Sequence, residues 1–235
     1  MPTQNSVKDN LAEIQRRIAT AAHRVGRSAD EITLIAVSKT HPAEAIREAY
    51  EAGVGHFGEN RVQEWEGKRG GIENLNGTWH LIGHLQSNKA ARAAKLFHCV
   101  DSVDDLDLAQ RLNRAREEQG ISEKLRVLLE VRVAQEETKS GVEVALLPTL
   151  IRNVSALPRL GLAGLMCIPP FLANIEQVRP YFRKLRELRD GLQKELQVAL
   201  PVLSMGMSHD FEAAIEEGAT EVRVGTAIFG NRAAK

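Results

Sequence analysis

Apolar positions recur along this chain in two alternating rhythms. Val7, Leu11, Ile14, Ile18 and Ala22 fall at helical spacing with polar residues between them, so 7–25 reads as an amphipathic helix closed by Gly26. Ile32-Thr33-Leu34-Ile35-Ala36-Val37 reads as a short buried strand. Pro42 then stands at a first helical position, and the helix it opens runs to Ala52 with Gly53 as its stop. The alternation continues. Apolar runs near 54–57, 79–82, 97–100, 125–131, 160–166, 201–204 and 221–224, together with 32–37, make eight predicted strands. Helical stretches at 60–68, 88–95, 104–119, 143–155, 174–197 and 209–217 lie between them.

Strands alternating with helices imply a parallel sheet. The repeat averages about 29 residues, close to the ~30 of a βα unit. Eight units favour an α/β fold of one closed (β/α)₈ barrel, with an open doubly wound sheet as the alternative. At 235 residues the chain is compact beside the ~250 typical of such barrels. An open sheet that binds dinucleotides carries GxGxxG after its first strand; here Ser38-Lys39-Thr40-His41-Pro42 follows instead. No linker, charge block or low-complexity tract divides the chain, so 1–235 is expected to be a single domain.

Charge and cysteine content narrow the function. Lys plus Arg number 31 and Asp plus Glu 31, for a net charge of zero. That balance argues against a nucleic-acid binder, which needs a basic footprint. With 43% apolar residues the chain can bury a core and is not disordered. No apolar run reaches the ~18–20 residues that span a bilayer, and the first residues show no apolar signal core. The cysteines, Cys99 and Cys167, are far apart without a CxxC. They fit a reducing, cytoplasmic setting and exclude a disulfide scaffold or a Cys-rich zinc site.

A barrel places its chemistry at the C-terminal ends of its strands. There the chain offers Ser38-Lys39-Thr40, Gly58-Glu59-Asn60, Gly83-His84-Leu85-Gln86, Asp101-Ser102, Glu136-Glu137-Lys139-Gly141, Met166-Cys167, Ser204 to Ser208, and Arg223 with Gly225-Thr226. Lys39 is the most informative. A lysine closing an apolar strand points its amine at a low-dielectric mouth, where desolvation favours the neutral nucleophile that captures an aldehyde. A lone lysine at a strand end also snorkels to solvent, so Lys39 alone does not decide.

Ser204-Met-Gly-Met-Ser208 and Gly225-Thr226 follow strands seven and eight, where barrels hold phosphate. Ser208 is also placed to cap the helix that follows, and Gly225-Thr226 to make an ordinary turn. Arg223 shares a strand face with Glu221. It either pairs with a core carboxylate such as Glu59 or Glu130, or aims a permanent donor at a ligand. The histidines suggest no metal: His80 and His84 would stand ~13 Å apart in extended chain, and HExxH is missing. His84 is better placed to touch a ligand. Cys99 reads as buried, Cys167 as lying at a loop mouth.

AVSKTHP (36–42), HFGENRVQEW (56–65), WHLIGHLQSNK (79–89), VDS (100–102), ETKSGV (137–142), GLM (164–166), LSMGMSHDFEAAI (203–215) and VRVGTAIFGNR (222–232) carry a resemblance across nearly the whole chain. The chain resembles the YggS/PROSC family, the pyridoxal phosphate homeostasis proteins. The resemblance implies one TIM-like barrel of the alanine-racemase type (PLP fold type III), with a helix in segment 1–30 packed on it. It implies pyridoxal 5′-phosphate as cofactor, held by Lys39 as an internal aldimine. Ser204, Ser208, Gly225 and Thr226 would hold the phosphate, Arg223 would face the pyridine nitrogen, and Asn60 and His84 would line the pocket near the ring. The chain departs from the family at Val131-Arg132, where VN is usual, and at His41, where many relatives have lysine.

A carbanion-forming enzyme wants a protonated ring nitrogen as electron sink. Arg223 only donates, which leaves that nitrogen neutral. Racemisation also needs a second acid/base, and the two tyrosines, Tyr50 and Tyr181, fall on predicted helices. The expected function is therefore intracellular PLP homeostasis without catalytic turnover, with PLP-dependent apoenzymes as recipients. An amino-acid racemase is the alternative. Absence of a dimerising second domain favours a monomer.

Overall fold

The computed structural model describes residues 6–134 and 140–230. Glu136, Glu137 and Lys139 of the predicted strand-five loop lie outside the described residues. Eight parallel strands close into a barrel in sequence order. They are β1 (Thr33–Val37), β2 (His56–Glu59), β3 (Thr78–Leu81), β4 (Cys99–Val103), β5 (Leu125–Glu130), β6 (Leu160–Met166), β7 (Val202–Met207) and β8 (Glu221–Val224). The closing pair sets Thr33 opposite Glu221 and Ile35 opposite Arg223. The helices are α1 (Val7–Arg24), α2 (Ala43–Glu51), α3 (Val62–Arg69), α4 (Ala90–Leu96), α5 (Leu106–Glu118), α6 (Leu147–Ser155), α7 (Ile175–Leu196), α8 (Phe211–Glu216) and α9 (Thr226–Phe229). Among the described residues no helix is long and apolar enough to cross a membrane. The barrel is the closed architecture that the repeat predicts.

Helix α1 starts where Ser6 accepts a hydrogen bond from the Asp9 N–H. Its apolar face buries Leu11, Ile14, Ile18, Ala21 and Ala22, and it lies against α8 and α9. Arg17 grips Glu212 of α8 in a bidentate pair, Nε and Nη2 donating at 3.1 and 2.7 Å.

The boundaries differ from the predicted ones for local reasons. The run at 54–57 becomes a strand only from His56, because the N–H groups of Gly53 and Val54 close α2 on Tyr50 and Ala49. Likewise the Phe97 N–H closes α4 on Ala93, so β4 starts at Cys99. Strand β7 runs on to Met207 through a register shift against β8, with Gly206 at φ +91°. A Cβ there would stand 2.5 Å from the Ala214 Cβ, so glycine lets β7 and α8 meet. Pro42 is the residue before α2 rather than its first turn. The four-residue α9 was not predicted.

Candidate functional site

At the C-terminal ends of the strands a cavity of about 550 Å³ opens, within the ~300–1,000 Å³ usual for small-molecule sites. Lys39, Asn60, His84, Ser208, Arg223, Gly225 and Thr226 line it, and Val37, Ile82 and Met207 supply apolar wall. Of the eight predicted site residues, Ser204 alone is not on this wall.

Lys39 follows β1 in a turn built by charge. The buried Ser38 hydroxyl donates to Glu59 Oε1 at 2.6 Å. The Lys68 ammonium donates to the Ser38 carbonyl at 2.9 Å and to Glu59 at 3.0 and 3.1 Å, and it pairs with Glu64 at 2.7 Å. Glu64 accepts from the Thr40 N–H. Thr40 takes φ +66°, a left-handed conformation that costs a β-branched residue ~1–2 kcal/mol. Burial works against the Glu64 charge, yet the Lys68 and Thr40 contacts hold its carboxyl below the usual range. Burial lifts Glu59 despite Lys68. The strand end that presents Lys39 is thus fixed from behind by α3. Beside it His41 stacks on Phe229, centroids 4.9 Å apart.

Asn60 and His84 come from the next two strand ends. A Cβ on Gly83 would lie 2.5 Å from the Asn60 carbonyl oxygen, so only glycine lets these two loops touch. His84 is exposed, with Nδ1 3.5 Å from Asp104.

Arg223 is buried on β8. It donates to Ser204 Oγ and to the Cys167 carbonyl, both at 2.8 Å. The expected ion pair with Glu59 or Glu130 does not form: Lys68 takes Glu59, and the Ser140 hydroxyl takes Glu130 at 3.0 Å. Ser204 is fully buried in β7 and positions Arg223 rather than lining the cavity. Cys167 is buried too, not at an open loop mouth, and burial pushes its thiol up to about 12.

Ser208 does not cap α8. Asp210 holds that position, and its carboxylate accepts from the Met207 N–H at 2.6 Å. The Ser208 hydroxyl instead accepts from the N–H groups of Gly225 and Ala227, at 3.2 and 3.4 Å. Those bonds tie the loop after β7 to the start of α9, gathering Ser208, Gly225 and Thr226 on one wall.

Below this cavity the barrel interior holds a second polar group. His80 Nδ1 meets Asp101 at 2.9 Å and His80 Nε2 meets His56 Nδ1 at 3.0 Å. Burial opposes a charge on His80, but Asp101 prevails and raises it to about 10. Burial and the His80 charge push His56 down to about 4. His80 therefore donates from both nitrogens, and His56 accepts. Arg126 of β5 reaches across the interior to Glu221 of β8 and contacts Cys99 Sγ at 3.4 Å. Among the described residues His80, Cys99 and Asp101 bring ligand-type atoms within 4.8 Å of one another, but these hydrogen bonds already engage them. Sequence reasoning missed this group because the contacts lie between strands.

The residues suit a small anionic aldehyde. They provide an amine at an apolar strand end, a buried guanidinium, and the Ser208 and Thr226 hydroxyls beside Gly225 on one wall. The family description "Alanine racemase, N-terminal domain" matches residues 10–233. The pyridoxal phosphate homeostasis protein of Aquifex aeolicus is 49% identical over 224 residues, covering 95% of this chain and 97% of that one. Its counterpart in Escherichia coli K12 is 45% identical, covering 97% of each. The solved structure of PipY from Synechococcus elongatus with PLP bound is 40% identical, covers 96% of this chain and all of that one, and superposes with a TM-score of 0.85. An alanine racemase of Clostridium difficile, 16% identical with a TM-score of 0.73, covers 97% of this chain and 58% of that one; it shares the fold.

Proposed function

The chain belongs to the alanine racemase N-terminal domain family, among its pyridoxal phosphate homeostasis proteins, and on that premise we propose that it binds pyridoxal 5′-phosphate through Lys39 and stores or delivers it without turnover. The observation that carries this reading is the convergence of Lys39, Arg223 and the Ser208–Gly225–Thr226 wall on one cavity. When bound, the cofactor supplies an aldehyde that an amine captures reversibly. Lys39 is the amine placed for that capture, on a turn fixed by Glu64 and Lys68. Ser208, Gly225 and Thr226 would take the phosphate. Arg223, held by Ser204 and Cys167, would donate to the ring nitrogen and keep it unprotonated. Asn60 and His84 would flank the ring.

The same geometry speaks against turnover. Tyr50 and Tyr181 pack against the hydrophobic core and do not line the cavity, so neither is placed as a second acid/base. A holder and deliverer needs only reversible capture. Its recipients would be PLP-dependent apoenzymes, and its working state a monomer.

Borohydride reduction of the PLP-treated protein, followed by peptide mapping, tests the assignment. We expect one phosphopyridoxyl group on Lys39; adducts scattered over surface lysines would refute it. Amino-acid Cα–H exchange in deuterated water separates the readings further. Steady exchange would establish a racemase-like enzyme, and none is expected.

A further inference from the structure

Glu130 ends β5 and is 4% exposed. It lines the same cavity as Lys39 and Arg223, and among the described residues it is the only carboxyl group there. Four groups face it. Asp104, beyond β4, opposes its ionisation; Arg223 of β8 and His84 beyond β3 favour it; the Ser140 hydroxyl donates to its Oε1 at 3.0 Å. Cys167, beyond β6, is also within its field and remains a thiol. Burial outweighs the favourable contacts and lifts the carboxyl above the ordinary range.

The bound cofactor is an anion. A carboxylate in the wall would repel it, whereas a carboxylic acid has a proton to donate. We propose that Glu130 is a further cofactor-binding residue that works as a neutral acid, donating its proton as a hydrogen bond to bound pyridoxal phosphate. This rests on the cofactor reading above. It adds a property that Lys39 and the phosphate wall do not supply: loading takes up a proton wherever Glu130 is ionised in the empty protein. The sign follows from linkage. Glu130 is protonated below its raised pKa and ionises above it, so affinity falls with rising pH, by up to about tenfold per pH unit.

The test is equilibrium binding of pyridoxal phosphate from pH 6 to 8.5, read from the cofactor's absorbance, for the wild type, Glu130→Gln and Ser140→Ala. Glutamine keeps the volume and a donor but cannot ionise. We expect Glu130→Gln to match the wild type at the acid end of the range, where both side chains are neutral, and to bind progressively more tightly than it as pH rises and Glu130 ionises. Ser140→Ala removes a contact that favours the carboxylate, so it should move the wild-type fall to higher pH. Parallel profiles for wild type and Glu130→Gln, with a Lys39 adduct present, would overturn this proposal alone. No Lys39 adduct in either protein would overturn the cofactor reading and this proposal together. If Glu130→Gln does not fold, calorimetry of the native protein over the same pH range in two buffers of different ionisation enthalpy decides. Uptake approaching one proton on loading supports the proposal, and zero uptake ends it.

Discussion

At the floor of the barrel, charged groups face one another; at its mouth, they face a cavity. The same strands supply both. β8 gives Glu221 to the floor, where Arg126 holds it, and Arg223 to the mouth two residues later. β5 gives Arg126 to the floor and Glu130 to the mouth. In β8 a step of only two residues, about 7 Å of strand, separates a side chain committed to the fold from one open to a ligand. A buried charge is thus not by itself a sign of function. The direction of its partners is what differs. The floor is also incompletely satisfied: Asp101 Oδ1 and Glu221 Oε2 are buried without a hydrogen-bond partner in the structure.

Substitutions on either side should break this contrast in opposite ways. Lys39→Ala at the mouth has the largest expected effect, complete loss of borohydride-trapped cofactor, with weak reversible binding at the Ser208–Gly225–Thr226 wall surviving. Trapped cofactor persisting in that variant would refute the role given to Lys39. Asp101→Asn at the floor leaves the His80 cation buried without its counter-charge and should cost about 3–5 kcal/mol. Urea unfolding reads that loss, and a saturating titration should still show the Lys39 adduct.

The pH dependence of unfolding sharpens the same point. His80, raised to about 10, contributes stability that is fully present below its unfolded pKa near 6.5 and is lost as pH rises through 10. His56, lowered to about 4, contributes stability present above about 6.5 and lost as pH falls through 4. Stability measured at pH 5, 7 and 9 should peak near neutrality, and Asp101→Asn should flatten its alkaline fall. An unaltered fall in the variant would separate His80 from the effect.

Ser204→Ala removes an acceptor of the Arg223 guanidinium and should cost about 1.5–3 kcal/mol. Its distinguishing readout is a shifted pH titration of the bound cofactor's spectrum. Unfolding alone would not tell it from any buried serine. The smallest effect is expected of Thr40→Gly. Glycine relieves the left-handed backbone but adds freedom to the unfolded chain, so stability should change by less than about 1 kcal/mol.

Much of the mouth was legible because it follows from chain order. A polar residue just after an apolar run lands at a barrel mouth whatever its neighbours do, which located Lys39, His84 and Thr226 without coordinates. Ser208 shows the limit: its position was right but its partner wrong, since Asp210 took the turn and freed the hydroxyl for Gly225 and Ala227. Glu130 was read only as a core carboxylate for Arg223 to pair with, because it sits inside the run 125–131 rather than after it; a carboxylate closing an otherwise apolar strand was the available signal of a place at the mouth. His80 with Asp101, and Arg126 with Glu221, had no signal of spacing at all. Their contacts depend on strand neighbours and on the closure of the cylinder.

That closure also joins the two ends of the chain at one site. Lys39 follows the first strand and Arg223 lies in the last, and the pairing of β1 with β8 closes the barrel between them. A chain lacking its final strand carries Lys39 but none of the wall contributed by Arg223, Gly225 and Thr226. The wall of the proposed site is therefore complete only in a polypeptide whose two ends have found each other.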